Sequence, residues 1–225
     1  MRGIRVLSTA FVLGGMLLMG GGVAAAQEAT PGGVDLSPNP DQCTQTPRTL
    51  EEIQAIAGTP APKGAGEATA AALNANPQHV DLPTGKPAPK EAIDGIVETI
   101  VQNVACYNAG DYLAGFGGVT EAFLQSQVGV ALFDQDFIDT ITATPQALPE
   151  DLQTQLLDTR DFTLYDDGRV GVLVYYKSPT PQPEGIDGLE IDLWIFEKVD
   201  GRWLLDESIG DLEEQLKDVA TPAAG

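Results

Sequence analysis

Asp161-Phe162-Thr163-Leu164-Tyr165, then Asp166-Asp167-Gly168-Arg169, then Val170-Gly171-Val172-Leu173-Val174-Tyr175-Tyr176 is the stretch whose reading decides the fold. A second stretch repeats its plan: Leu189-Glu190-Ile191-Asp192-Leu193-Trp194-Ile195-Phe196, then Val199-Asp200-Gly201-Arg202, then Trp203-Leu204-Leu205. Each places β-branched and aromatic runs on both sides of an Asp-Gly pair, the strongest short-range signal for a β-hairpin. Two hairpins in tandem therefore predict an antiparallel sheet over about 160–207.

Register follows from which loop gives one clean apolar row. A three-residue loop with Gly168 in the left-handed region pairs Leu164 with Val170 and Phe162 with Val172. The same loop at Gly201 pairs Ile195 with Leu205 and Phe196 with Leu204, whereas a two-residue loop opposes Ile195 to Asp206. A slip of one residue exchanges the two faces of a strand, so three-residue loops are expected in both hairpins. In that register Trp194 and Trp203 lie on opposite faces, with Trp203 turned inward beside Ile195 and Leu205.

Upstream, the pattern is helical. Ile93, Ile96, Val97, Ile100, Val104 and Tyr107 recur on one face of a helix from about Pro89 to Tyr107, which Asn108 to Gly110 stops. Asp111 caps a second helix carrying Tyr112, Leu113 and Phe116, and Thr120 opens a third segment. Asp134 to Ile141 forms a further helix, with Phe133, Phe137, Ile138 and Ile141 on one side. Pro145 and Pro149 end it, and the sheet begins near Leu156. Leu212, Leu216 and Val219 fit two turns of a C-terminal helix within 210–225, ahead of a short tail.

The N-terminal part differs in kind. Arg2 and Arg5 precede the apolar run Val6 to Met19, and Ala24-Ala25-Ala26 ends a cleavage pattern, so 1–26 is expected to be a secretory signal peptide. The segment 27–88 is an arm and linker, extended or disordered to about Thr46. A short helix near 49–57 interrupts it, announced by the capping box Thr49-Leu50-Glu51-Glu52, with Leu50, Ile53 and Ile56 on one face. The only histidine, His79, lies in this linker. Two cysteines, Cys43 and Cys106, in a secreted chain predict one disulfide.

Twelve basic residues stand against 33 acidic ones, a formal charge of −21 over 225 residues. Such a surface repels nucleic acid and anionic lipid. No nucleic-acid partner is expected, nor a membrane once the leader is removed. There is no G-x-S-x-G, no phosphate-binding glycine loop, no C-x-x-C and no N-glycosylation sequon. Asp134-x-Asp136 with Asp139 lacks the glycine and distal glutamate of a calcium loop and reads as the solvated side of a helix. No metal or cofactor is expected.

Helices followed by antiparallel strands make an α+β chain. Ala105-Cys106-Tyr107-Asn108-Ala109-Gly110-Asp111-Tyr112 resembles the helix-turn-helix entry of the nuclear transport factor 2-like superfamily. That superfamily also includes the SnoaL-like polyketide cyclases and ketosteroid isomerase. Val199-Asp200-Gly201-Arg202-Trp203 is similar to its final hairpin. The resemblance covers 89–209 and implies a cone-shaped half-barrel, a curved antiparallel sheet wrapped on N-terminal helices, in a secreted bacterial member. Its interior is expected to be built from Ile96, Ile100, Val104, Phe116, Val172, Ile195, Trp203 and Leu205.

Function is less legible. Tyr107, Tyr112, Phe116, Phe123 and Trp203, with Phe133, are candidates to line a cavity for a small apolar molecule; each also fits ordinary core. Enzymes of the superfamily place a carboxylate or histidine inside the cone, and no histidine lies in this domain. Asp206, Glu207 and Asp111 are the catalytic candidates, one of the first two being expected to face inward, held by Tyr107 or Tyr175. Against that stand a solvated strand end for Asp206 and Glu207 and a helix cap for Asp111. Three functions follow: a secreted non-enzymatic binding module, a cofactor-free lyase or isomerase, and a structural protein dimerising through Trp194 and Phe196 on an exposed sheet face. The expected state is monomer or homodimer.

Overall fold

Five strands form one antiparallel, curved and unclosed sheet in chain order: β1 (Lys86–Pro87), β2 (Gln155–Leu164), β3 (Val170–Lys177), β4 (Leu189–Val199) and β5 (Arg202–Ile209). The computed structural model describes residues 36, 38–58, 84–129, 131–178, 189–210 and 212. The predicted leader, most of the linker with His79, and Leu216 and Val219 lie outside the described residues. So does the side chain of Phe133.

The β2–β3 turn is the three-residue loop the sequence predicts. The Gly168 amide donates to the Tyr165 carbonyl at 3.1 Å and the Tyr165 amide to the Arg169 carbonyl at 2.9 Å. Gly168 has φ 90°, and Leu164 pairs with Val170. The expected Phe162–Val172 pair does not form. Thr163 pairs with Gly171 and Arg160 with Leu173, so Asp161 and Phe162 together oppose Val172. That extra residue is a bulge, and Asp161 takes φ 56° to make it.

The β4–β5 turn corrects the sequence expectation. Val199 pairs with Arg202, leaving only Asp200 and Gly201 between the strands, at φ 51° and 85°. Two successive left-handed residues define a two-residue turn of the type whose twist matches paired strands. Phe196 therefore pairs with Leu205 and Glu197 with Leu204, one step from the expected register. Beyond Leu205 the pairing jumps to Ile195 with Glu207, so Asp206 is the extra residue of a second bulge. The bulge removes the Ile195–Asp206 clash of character that had argued against a two-residue loop.

That one-residue difference sets the faces. Trp194, Phe196, Trp203 and Leu205 share the face that meets the helices, with Val170, Val172 and Val174 of β3. Ile195, expected inside, lies on the opposite face with Leu173, Leu193 and Leu212. The other seven expected interior residues are all on the helix side: six are buried, and Phe116 is partly buried against that core. The outer face is itself covered: Tyr165, Tyr175 and Ile209 pack on it, and the Leu212 amide donates to the Ile191 carbonyl at 3.0 Å.

Five α-helices are present among the described residues: α1 (Leu50–Ala57), α2 (Lys90–Asn108), α3 (Tyr112–Gly115), α4 (Glu121–Val128) and α5 (Gln135–Thr142). α2 buries Ile96, Val97, Ile100, Val101 and Val104 against the sheet. Each fully buried aliphatic side chain is worth about 2 kcal/mol of transfer free energy. The α2–sheet contact is tightest where Gly95 faces the Trp203 indole, 2.9 Å from where a Cβ would stand. The Thr99 hydroxyl also donates to the Trp203 carbonyl at 2.8 Å. Asp111, Thr120 and Asp134 each cap the helix that follows, accepting an amide hydrogen bond from its first turn.

The arm is ordered earlier than the sequence implies. Cys43 and Cys106 form the predicted disulfide, with Cα atoms 4.5 Å apart. Around it the Thr44 amide donates to Gln102 Oε1 at 2.8 Å and Gln45 Nε2 to Asn103 Oδ1 at 2.7 Å. The Arg48 guanidinium donates to the carbonyls of Phe116 and Val119 at 2.8 and 3.0 Å. Arg48 is thus a polar anchor in a segment expected to lack one, and α1 adds the fully buried Ile53. β1 was hidden in the stretch expected to be linker. It has two residues, one of them a proline, and pairs as an edge strand with Leu164 and Thr163.

Candidate functional site

Between the helices and the inner sheet face lies a cavity of about 380 Å³. α2 supplies Val104 and Tyr107, α4 supplies Phe123, Leu124 and Val128, and the sheet floor is Leu156, Val174, Tyr176, Trp194 and Leu205. Its size falls in the range of small-molecule sites. Two breaks in the helices make room for it. Gly110 takes φ 70° after α2, and Gly115 presents no side chain at the wall.

Four of the five predicted lining residues are there: Tyr107, Tyr112, Phe116 and Phe123. Tyr107 is 46 % exposed and stands at the mouth, edge-on to Tyr112 with ring centroids 5.7 Å apart. Burial, and then the Tyr107 neighbour, push the Tyr112 phenol above its ordinary range. Trp203 does not reach the cavity, because it is spent on packing against Gly95 of α2. Trp194 takes that place, and its indole Nε1 is buried with no hydrogen-bond partner among the described residues. The signal for Trp194 was the turn: a two-residue Asp200-Gly201 loop puts both tryptophans on one face.

The acids are not where the catalytic reading needs them. Asp206 and Glu207 are absent from the cavity lining. Asp206 sits at the β5 bulge, where it accepts from the Thr120 hydroxyl at 2.9 Å and from the Arg169 guanidinium at 3.1 Å. Glu207 lies 3.5 Å from the same guanidinium nitrogen. Neither is held by Tyr107 or Tyr175. Tyr175 is turned to the outer face, under the Arg160 guanidinium at 4.8 Å. Asp111 accepts from the Ala114 amide at 3.0 Å, which is the capping role.

One polar end was not anticipated. Tyr176 and Glu190 are cross-strand partners on β3 and β4, and both line the cavity. The Tyr176 hydroxyl donates to Asp192 Oδ2 at 2.7 Å, on a carboxylate only 8 % exposed. Burial first, then the two neighbouring carboxylates, push the phenol well above its ordinary range. Tyr176 therefore stays neutral and donates its proton. Alternation along β4 was the available clue, since Glu190, Asp192 and Trp194 share one face of that strand.

The pair expected on an exposed sheet surface, Trp194 and Phe196, is turned inward, and Phe196 is fully buried. Among the described residues no helix is long and apolar enough to cross a membrane. No family model, curated protein or solved structure matches the chain.

Proposed function

We propose that this chain is a secreted, non-enzymatic binding module of the nuclear transport factor 2-like kind, its sheet and helices enclosing a small, largely apolar ligand. The observation that carries this reading is the cavity of about 380 Å³, walled by aromatic and aliphatic side chains. The lyase or isomerase reading through Asp206 or Glu207 has less support, because both carboxylates face Arg169 and neither lines that cavity. The Cys43–Cys106 disulfide is compatible with an oxidising compartment.

The test is a titration of the purified, oxidised protein with Nile red, a neutral apolar dye whose emission reports a dry site. Saturable binding at one dye per chain is expected. Gly115→Leu should weaken it at least tenfold without unfolding the protein, because a Cβ at Gly115 meets only the Cys106 Cβ, at 4.0 Å. A dye signal that never saturates, or that Gly115→Leu leaves unchanged, ends the proposal. Turnover of a small carbonyl or epoxide that is lost in Asp206→Asn or Glu207→Gln would replace it with the enzymatic reading.

A further inference from the structure

We infer that the ligand of this cavity is a small organic cation, an apolar body carrying a tertiary or quaternary ammonium group. The inference rests on the binding reading above and adds the chemical class of the ligand. It starts from the charges in the wall. Among the described residues, Glu190 is the single formally charged one lining the cavity, with no lysine, arginine or histidine beside it. The nearest base in sequence on that edge, Lys177, is exposed and follows Tyr176, so pleating turns it to the other face.

Nor does Tyr176 supply a countercharge. It is a neutral phenol that donates at 2.7 Å to Asp192. Glu190, its direct cross-strand neighbour, stands in a mostly apolar wall whose other polar members include Asn103, Gln127, Thr154 and Ser178, none of them cationic. A neutral ligand covering Glu190 strips water from it and returns at most a hydrogen bond, and an anionic one adds repulsion. A cation supplies the missing countercharge.

The rest of the wall suits the same occupant. Tyr107, Tyr112, Phe116, Phe123 and Trp194 all line it, and an ammonium group is attracted to the negative face of any ring it meets. Outside the site, a formal charge of −21 draws cations and repels anions over the whole approach.

Three ligands of one shape separate the possibilities: naphthylmethyl-trimethylammonium, naphthalenemethanol and naphthaleneacetate, each competed against Nile red. The cation is expected to displace the dye at a concentration at least tenfold below the alcohol, with the acid weakest. Glu190→Gln should bring the cation and the alcohol to within about threefold of each other. Glu197→Gln, which removes the same charge from an exposed position of the opposite face, should leave the preference intact. Nile red binding with no preference for the cation, or a preference that survives Glu190→Gln, overturns the inference and spares the cavity. Failure of Nile red and the cation alike to bind overturns both.

Discussion

The β2–β3 and β4–β5 hairpins carry the same Asp-Gly-Arg at their turns, Asp167-Gly168-Arg169 and Asp200-Gly201-Arg202, yet the first closes through three residues and the second through two. In the first, Asp167 keeps a negative φ, and its carboxylate accepts from the Arg169 amide at 3.0 Å while only Gly168 of the loop takes a positive φ. In the second, Asp200 joins Gly201 in the left-handed region. Asp tolerates that region better than most residues, at a cost of about 1 kcal/mol. What offsets it lies away from the turn. The two-residue loop places Trp203 and Leu205 against the helices, a burial worth several times more. A local tripeptide therefore does not select its own turn; the side-chain parity that the core accepts selects it.

The largest test of that parity is a pair of truncations on adjacent residues. Phe196→Ala empties a fully buried site on the helix side and is expected to cost about 3–5 kcal/mol in urea unfolding. It should also shift tryptophan emission, since Trp194 and Trp203 share its face. Ile195→Ala, on the outer face with Leu193 and Leu212, is expected to destabilise by about 2–4 kcal/mol with little change in emission. Equal spectral effects from both would mean that the faces are assigned wrongly.

The contrast also shows where sequence stopped being legible. Helix starts came through because a cap is local chemistry: the Thr49 capping box and the Asp111 cap read correctly from side chains and the amides they meet, and Thr120 and Asp134 marked the starts of the segments they cap. The disulfide came through because two cysteines have only one intramolecular pairing. Trp203 faces inward as read but packs on Gly95 instead of the cavity, a contact between distant elements. Trp194 was read as facing outward because its face depends on a one-residue difference in loop length, which two candidate turns with the same Asp-Gly leave open. Glu190 and Tyr176 were missed for a related reason. Their meeting needs the register of β3 on β4, and those strands are too far apart in sequence for a two- or three-residue turn to set it. Arg48 was missed because its partners are backbone carbonyls nearly seventy positions away.

Next in size are the ion pairs of Arg169, which tie the hairpins together. Arg169, immediately after the first turn, reaches Asp206 at 3.1 Å and Glu207 at 3.5 Å at the bulge of the second. The guanidinium is a third exposed and the Asp206 side chain 14 % exposed, so screening is partial. Arg169→Met is expected to cost about 1–2 kcal/mol, discounted from the value of a fully buried pair. Raising salt should narrow the gap between variant and wild type. A variant as stable as the wild type at low salt would show that the two hairpins are coupled only through their strands.

Smaller again are the turns themselves. Gly168→Ala and Gly201→Ala each place a Cβ in open space at positive φ, so backbone strain alone is felt, about 1 kcal/mol in each. Asp200→Val adds a β-branched residue at φ 51° and is expected to cost about 1–2 kcal/mol. The same change at Asp166, which is not left-handed, should be nearly silent. Chemical denaturation of the four variants side by side separates the turn types: a costly Asp166→Val, or a silent Asp200→Val, would reverse their assignment.

The smallest effect is a pH dependence confined to the first turn. The Arg169 amide, and then its guanidinium, hold the Asp167 carboxyl below its ordinary range. A carboxylate whose folded pKa is depressed contributes stability that is complete above its unfolded pKa, about 3.9, and is lost as pH falls through the lower, folded value. Half the side chain is exposed, so solvent screens the contribution and keeps it small. Asp167→Asn retains an oxygen for the Arg169 amide but cannot titrate. Above about pH 5 the wild type should therefore unfold at a slightly higher urea concentration than the variant, and below about pH 3 that advantage should vanish. Unfolding midpoints collected from pH 2.5 to 6 measure it directly. Parallel curves for the two proteins would mean that the Asp167 charge adds nothing to the three-residue loop, leaving Gly168 and the strand register to hold it.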